Sequence, residues 1–199
     1  GAAKVKARKD TVKHYKGQVW GMRCAAHAWD LVIKSVVSQA FADCIMKTIN
    51  KIVTFIYNHD YVKSLWLDIP GVVNIQRTAE TRFATLHETL TGVKRNEIGL
   101  RTLFKNPELL QWVRGDGKAH AAKFEDLCDA VGSDTWWQMV HVCDAIIGPL
   151  VKALHITDNG EPNLSPLCQE YFAVEAHFNA MAEDVAAVLE DELGITHSR

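Results

Sequence analysis

The sequence predicts a mostly α-helical protein with at most one or two short strands near its N-terminus. Two observations carry this. Apolar residues recur at helical spacing along most of the 199 residues. Helix-start signals stand at Asn106-Pro107-Glu108 and Ser165-Pro166, each a capping residue followed by a first-turn proline. A third narrows the exception: only "QVWGMR", residues 18–23, reads as a short buried strand.

The opening "AAKVKARKDTVKHY" has Ala3, Ala7 and Val12 on one side and Lys on the others, which predicts a helix over 2–15, stopped at Lys16-Gly17. After the strand, helix resumes at Cys24 with Ala28, Leu31, Val32, Ser35 and Val36 as its stripe. The clearest amphipathic pattern follows: Phe41, Cys44, Ile45, Thr48, Ile49, Ile52, Val53 and Ile56, ending at Asn58-His59. A short helix over 60–67 runs into a turn at Pro70-Gly71. "RTAETRFATLHETLTGV" returns to helix through Phe83, Leu86, Leu90 and Val93. A new helix starts at Pro107 and stops at "RGDGK", and another covers 118–131. Ser133 caps a helix over 134–154, with Pro149 expected to kink it. "HITDNGEPNLS" is the most loop-like stretch, and a long last helix carries Leu167, Tyr171, Val174, Phe178, Met181, Val185 and Val188.

Composition is that of a folded globular chain, with 48% hydrophobic and 23% charged residues. Lys, Asp or His interrupts every apolar run short of a membrane span, so no membrane partner is expected. The chain begins with Gly1 rather than Met and has no signal-like start, as expected of an excised piece of an intracellular protein. Five cysteines, Cys24, Cys44, Cys128, Cys143 and Cys168, are odd in number and widely spaced, which favours reduced core thiols over a disulfide framework. Six tryptophans, at 20, 29, 66, 112, 136 and 137, are expected as packing anchors. Net charge is −2 but uneven. Lys4, Lys6, Arg8, Lys9, Lys13, Lys16, Arg23 and Lys34 face only Asp10 and Asp30 in the first 34 residues, whereas the stretch from Asp158 onward is strongly acidic. The basic end can meet a polyanion, or it can be a solvated helix face.

Cys24-x-x-His27 allows three readings. Both side chains share a helix face, which suits two ligands of a tetrahedral zinc, yet two more ligands are required. His141-x-Cys143 points its side chains apart, and the other histidines, at 14, 59, 87, 120, 155, 177 and 197, are scattered. A Cys-His nucleophile pair would need the thiol and its base aimed at each other, which neighbours on one helix seldom achieve. The third reading is a small core thiol beside a half-buried imidazole. Glycine-rich phosphate loops, Gly-x-Ser-x-Gly and His-Glu-x-x-His are all absent. Glu183-Asp184 and Glu190-Asp191-Glu192 read as solvated surface.

Three stretches taken together, "WGMRCAAHAWDLVIKSVV", "INKIVTFIYNHDYVKSL" and "RTAETRFATLHETL", resemble in order and spacing the hAT superfamily of DNA transposases and its plant-type transposase-like members. The match spans roughly residues 1–95, and is looser beyond about 100, where the chain resembles the family's helical insertion lobe. The resemblance implies residues 1–40 as a remnant of an RNase-H-like core, one helix and one or two short strands, and 41–199 as an all-helical insertion lobe. It implies His27 beside the scissile phosphate with Cys24 packed inward behind it. Arg82-Phe83 resembles the family's Arg-aromatic pair, with Phe where Trp is usual and so less surface for a flipped base. Lys4, Lys6, Arg8, Lys9, Lys13, Lys16, Arg77, Arg82 and Phe83 would contact DNA.

An intact family enzyme uses three carboxylates and two Mg or Mn ions. By the resemblance, the first two carboxylates fall upstream of Gly1 and the third beyond Arg199, so this chain would hold no metal and no small-molecule cofactor, and alone would be inactive. DNA is the expected partner, a homo-oligomer is compatible with the sequence, and the implied location is the nucleus. A different class of function is a non-enzymatic scaffold, in which the 41–56 and 134–154 helices carry partner contacts. An intact hydrolase would need an assembled acid, base and nucleophile set, which the sequence does not offer.

Overall fold

A computed structural model describes residues 2–15, 24–76, 83–158 and 164–193. Among these residues the chain is helical, with no strand. The expected strand at 18–23 lies outside the described residues, as do Lys16, Arg77 and Arg82 and the side chains of Lys4, Arg8 and Phe83.

The described helices are α1 (Ala2–His14), α2 (Ala25–Val37), α3 (Ala40–Asn58), α4 (Asp60–Leu67), α5 (Phe83–Arg95), α6 (Glu97–Phe104), α7 (Pro107–Arg114), α8 (Ala121–Gly132), α9 (Asp134–Asp158) and α10 (Leu164–Leu193). A 3-10 turn, Lys118–His120, leads into α8, where the sequence predicts one helix from 118. Two of the predicted caps are made as expected. Asn106 Oδ1 accepts from the Glu108 amide at 2.8 Å with Pro107 in the first turn, and Ser133 Oγ accepts from the Trp136 amide at 3.2 Å.

Two helices organise the core. α3 buries Ala42, Ile45, Met46, Ile49, Ile52, Val53, Phe55 and Ile56, and packs against α4, α5, α8, α9 and α2. Of the predicted stripe, Ile45, Ile49, Ile52, Val53 and Ile56 are buried, Thr48 is half-buried, and Phe41 and Cys44 are exposed. α9 buries Trp137, Val140, Cys143, Ile147, Leu150, Val151 and Ala153, and packs against α2, α5 and α10. By length and composition alone α9 reaches the range of a membrane-crossing helix, beyond what the interrupted sequence runs suggest. It extends to Asp158 and so absorbs the start of the stretch predicted as loop. Both helices turn most of their apolar residues into the core, while Phe41 of α3 and Met139 and Val142 of α9 stay exposed.

Of the stripe predicted for α2 only Val36 packs on the core. Ile33 is fully buried and Trp29, Val36 and Val37 pack on the same core, while Leu31 and Val32 are 51% and 42% exposed. Polar His27, Asp30 and Lys34 mark one side of the helix, but apolar residues cover the rest of its circumference, so spacing does not single out the buried strip among them. Ile33 joins α2 to the core built by 41–199. In α10, Val174 is buried and Phe178 half-buried, but Tyr171 is 55% exposed, against its place in the predicted stripe.

Pro149 sits inside α9 and has no amide hydrogen to give the Ala145 carbonyl. His177 of α10 fills that gap: its Nε2 lies 2.9 Å from the Ala145 oxygen. Because a carbonyl only accepts, the His177 proton must sit on Nε2. Lys152 and Glu170, 3.1 Å apart, form a second tie between the same helices.

The segment 72–76 between α4 and α5 has no regular structure, yet it is fixed from three sides. Gly71 makes the preceding turn with φ +80, a region only glycine enters freely. Buried Asn96 accepts from the Val73 amide (2.8 Å) and donates to the carbonyls of Val73 (3.0 Å) and Gly92 (2.7 Å). Tyr57 OH donates to Asn74 Oδ1 (2.6 Å) and accepts from the Ile75 amide (3.0 Å). Thr89 Oγ1 shares its proton between the Gln76 carbonyl (2.9 Å) and that of Thr85 (2.8 Å). Ile75 is thereby held in the core.

Candidate nucleic-acid interface

α1 is exposed at every described side chain, from Val5 to Tyr15. Ala7, expected on a buried side, is exposed too. Lys6, Lys9 and Lys13 follow i, i+3, i+7 spacing and so line one face of the helix, with Asp10 at its edge. The backbone places Lys4 and Arg8 together on another side. A helix of this length that buries none of its described side chains gains little from its own chain, and its cations are open to a polyanion.

His27 stands in the first turn of α2, its side chain 67% exposed and Nδ1 4.0 Å from Asp30 Oδ2. Asp30 is engaged by Lys34 Nζ at 3.0 Å, so it is already neutralised. Cys24 is the N-cap residue, makes no capping hydrogen bond through its side chain, and is exposed rather than packed inward. Among the described residues no side chain caps the first-turn amides, and the imidazole stands at the same helix end. One paired carboxylate is not a two-metal site, and among the described residues no three His, Cys, Asp or Glu side chains gather. Among the described residues the donor set around His27 does not fit two catalytic ions.

The cysteines divide by burial. Cys24, Cys44 and Cys168 are exposed, against their expected place in the core. Cys143 is buried, and burial pushes its thiol up to about 11. Cys128 is half-buried and is also pushed to about 11, by burial first and then by Asp129 and Glu125.

Two polar clusters escape the sequence patterns. Between α5 and α9, Asp144 takes Lys94 Nζ at 2.7 Å, His87 Nε2 at 3.2 Å and Thr91 Oγ1 at 3.2 Å. Burial works against its charge, but the hydrogen bond and charge of Lys94, helped by His87 and Thr91, hold its carboxyl below the usual range. The second cluster lies at the C-terminal end of α3. His59 and His120 approach with ring centres 4.4 Å apart, and Trp112 lies 5.5 Å from His59. Phe55 packs on His59 from the other side, at 5.3 Å. Desolvation, and then the neighbouring His120, lower the His59 pKa. The imidazoles border a cavity of about 510 Å³ lined also by Lys51, Phe55, Lys123, Asp126 and Leu127. In the sequence His59 stands out only as half of an Asn-His pair, and nothing in the spacing links it to His120.

No protein-family model, curated protein or solved structure matches this chain.

Proposed function

We propose that the chain is a segment of a hAT-like DNA transposase, or of a protein derived from one, contributing DNA contact and one wall of the active site without the metal-binding carboxylates. In this reading α1, the 18–23 stretch and α2 are the remnant of the RNase-H-like core, and the remaining helices are the insertion lobe. The single observation that supports DNA contact best is the lysine face of α1, exposed along its described length. The open first turn of α2, with His27 outward, gives a second anion-facing element.

Phosphate contacts by lysine displace condensed counterions, so affinity should fall steeply with salt and depend little on sequence. Fluorescence anisotropy with a short duplex, from about 50 to 200 mM salt, tests this. Lys9→Ala should weaken binding uniformly across sequences and reduce the salt slope by about one. Replacing Lys4, Lys6, Arg8 and Lys9 by Glu should abolish binding. Affinity that stays flat with salt, or no binding at low salt, overturns the reading in favour of a scaffold.

A further inference from the structure

The cavity between α3 and α8 is independent of the α1 and His27 surface and has a chemistry of its own. The buried Phe55 and Leu127, 6% and 3% exposed, close its floor, and its rim carries Lys51 from α3 and Lys123 from α8. His59 and His120 stand side by side with no hydrogen-bond partner for either ring among the described residues. Two lysines beside two imidazoles disfavour a metal cation, and no third ligand joins them among the described residues. The same four groups suit an oxyanion, since each can donate a charged or neutral N–H. A bare phosphate would fill only a small part of the cavity, whose volume of about 510 Å³ is within the range of small-ligand sites. Asp126 opposes a second anion but can accept from a sugar hydroxyl or a ring amine.

We propose that this cavity binds a nucleoside phosphate, its phosphoryl group between Lys51, Lys123 and the paired imidazoles and its base against Phe55 and Leu127. The phosphomonoester can come from a free nucleotide or from the 5′-phosphorylated end of a single strand. Binding places a dianion beside a His59 ring that the fold otherwise keeps neutral, in a setting that also holds Lys51, His120, Lys123 and Asp126, with Tyr61 beyond Trp112.

The test uses the full 199-residue chain, with AMP, adenosine, inorganic phosphate and a trinucleotide with and without a 5′-phosphate as probes. Imidazole proton resonances and calorimetry are the readouts. AMP should shift the His59 and His120 signals and move the His59 titration upward. Adenosine and phosphate should each bind at least about tenfold more weakly than AMP. Lys51→Gln and Lys123→Gln, both at exposed positions, should each weaken AMP binding about tenfold with unchanged circular dichroism. Competition by the phosphorylated trinucleotide alone assigns the site to a strand end, and its exclusion while AMP binds assigns it to a free nucleotide; either supports the proposal. No perturbation at about 10 mM AMP in low salt overturns it. So does adenosine binding as tightly as AMP, or unaltered binding in the double lysine variant. Loss of DNA binding in the native chain with AMP binding intact would sink only the transposase reading.

Discussion

Replacing Asn96 by alanine strands the amide and the carbonyl of Val73 together, while the Gly92 carbonyl keeps the backbone amide of residue 96. The expected loss is about 2–4 kcal/mol, read as a lower urea midpoint with an unchanged slope. Gly99→Ala tests packing instead. A Cβ there would meet Val72 Cγ1 at 2.6 Å and the Trp66 ring at 3.3 Å, for a loss of about 1–3 kcal/mol. The thiols offer a third check at this scale. Cys24, Cys44 and Cys168 should alkylate in the native protein, while Cys128 and Cys143 should react only after unfolding, as mass spectrometry of each peptide would show. Rapid native labelling of Cys143 would contradict its burial. Residue type alone predicts all five cysteines in the core, since free cysteine is usually buried. Cys24 escapes because it stands at the N-terminal end of α2, whereas Cys44, at the edge of the stripe predicted for α3, and Cys168 are exposed on their helices.

The junction of α9 and α10 shows how one helix defect becomes another helix's anchor. If His177 binds the carbonyl that Pro149 leaves without an amide, His177→Ala should cost about 1–2 kcal/mol in the native background and distinctly less in Pro149→Ala, where the helix supplies its own donor. A double-mutant cycle on thermal unfolding measures that coupling, and strict additivity would remove the linkage. Helix existence is legible in the sequence wherever the chain signals its own ends. Asn106-Pro107-Glu108, Ser133 and the Ile45, Ile49, Ile52, Val53 and Ile56 part of the α3 stripe fold as they read, because caps and one-sided apolar patterns are local physics. The buried face of α2 is not legible. With Trp29 and Ile33 on one side and Leu31 and Val32 on the other, only the position of α9 chooses between them.

Across the whole molecule, two depressed titrations act in the same direction. The folded state holds His59 below its ordinary 6.5, so the stabilisation it gives is complete above that value and declines as pH falls through the folded pKa. Asp144 is held below its ordinary 3.8, so its contribution is present above that value and is lost only in more acidic solution. Urea midpoints at about pH 7, 5 and 3 should therefore fall in two stages. Asp144→Asn should flatten the second stage, and His59→Gln the first. Neither group is visible as part of a site in the sequence, because Asp144 with Lys94, and His59 with His120, meet only after distant helices pack. The basic α1 face needs only local spacing to be seen, whereas spacing alone leaves the exposure of His27 open. The segment 72–76 reads in the opposite way. Its sequence looks like a connector where evolution or an engineer could add residues freely, yet Asn96, Tyr57 and Thr89 hold it as a fixed seam between α3 and α5. Chain length there is fixed to the residue, and insertions or permuted termini belong elsewhere in this protein.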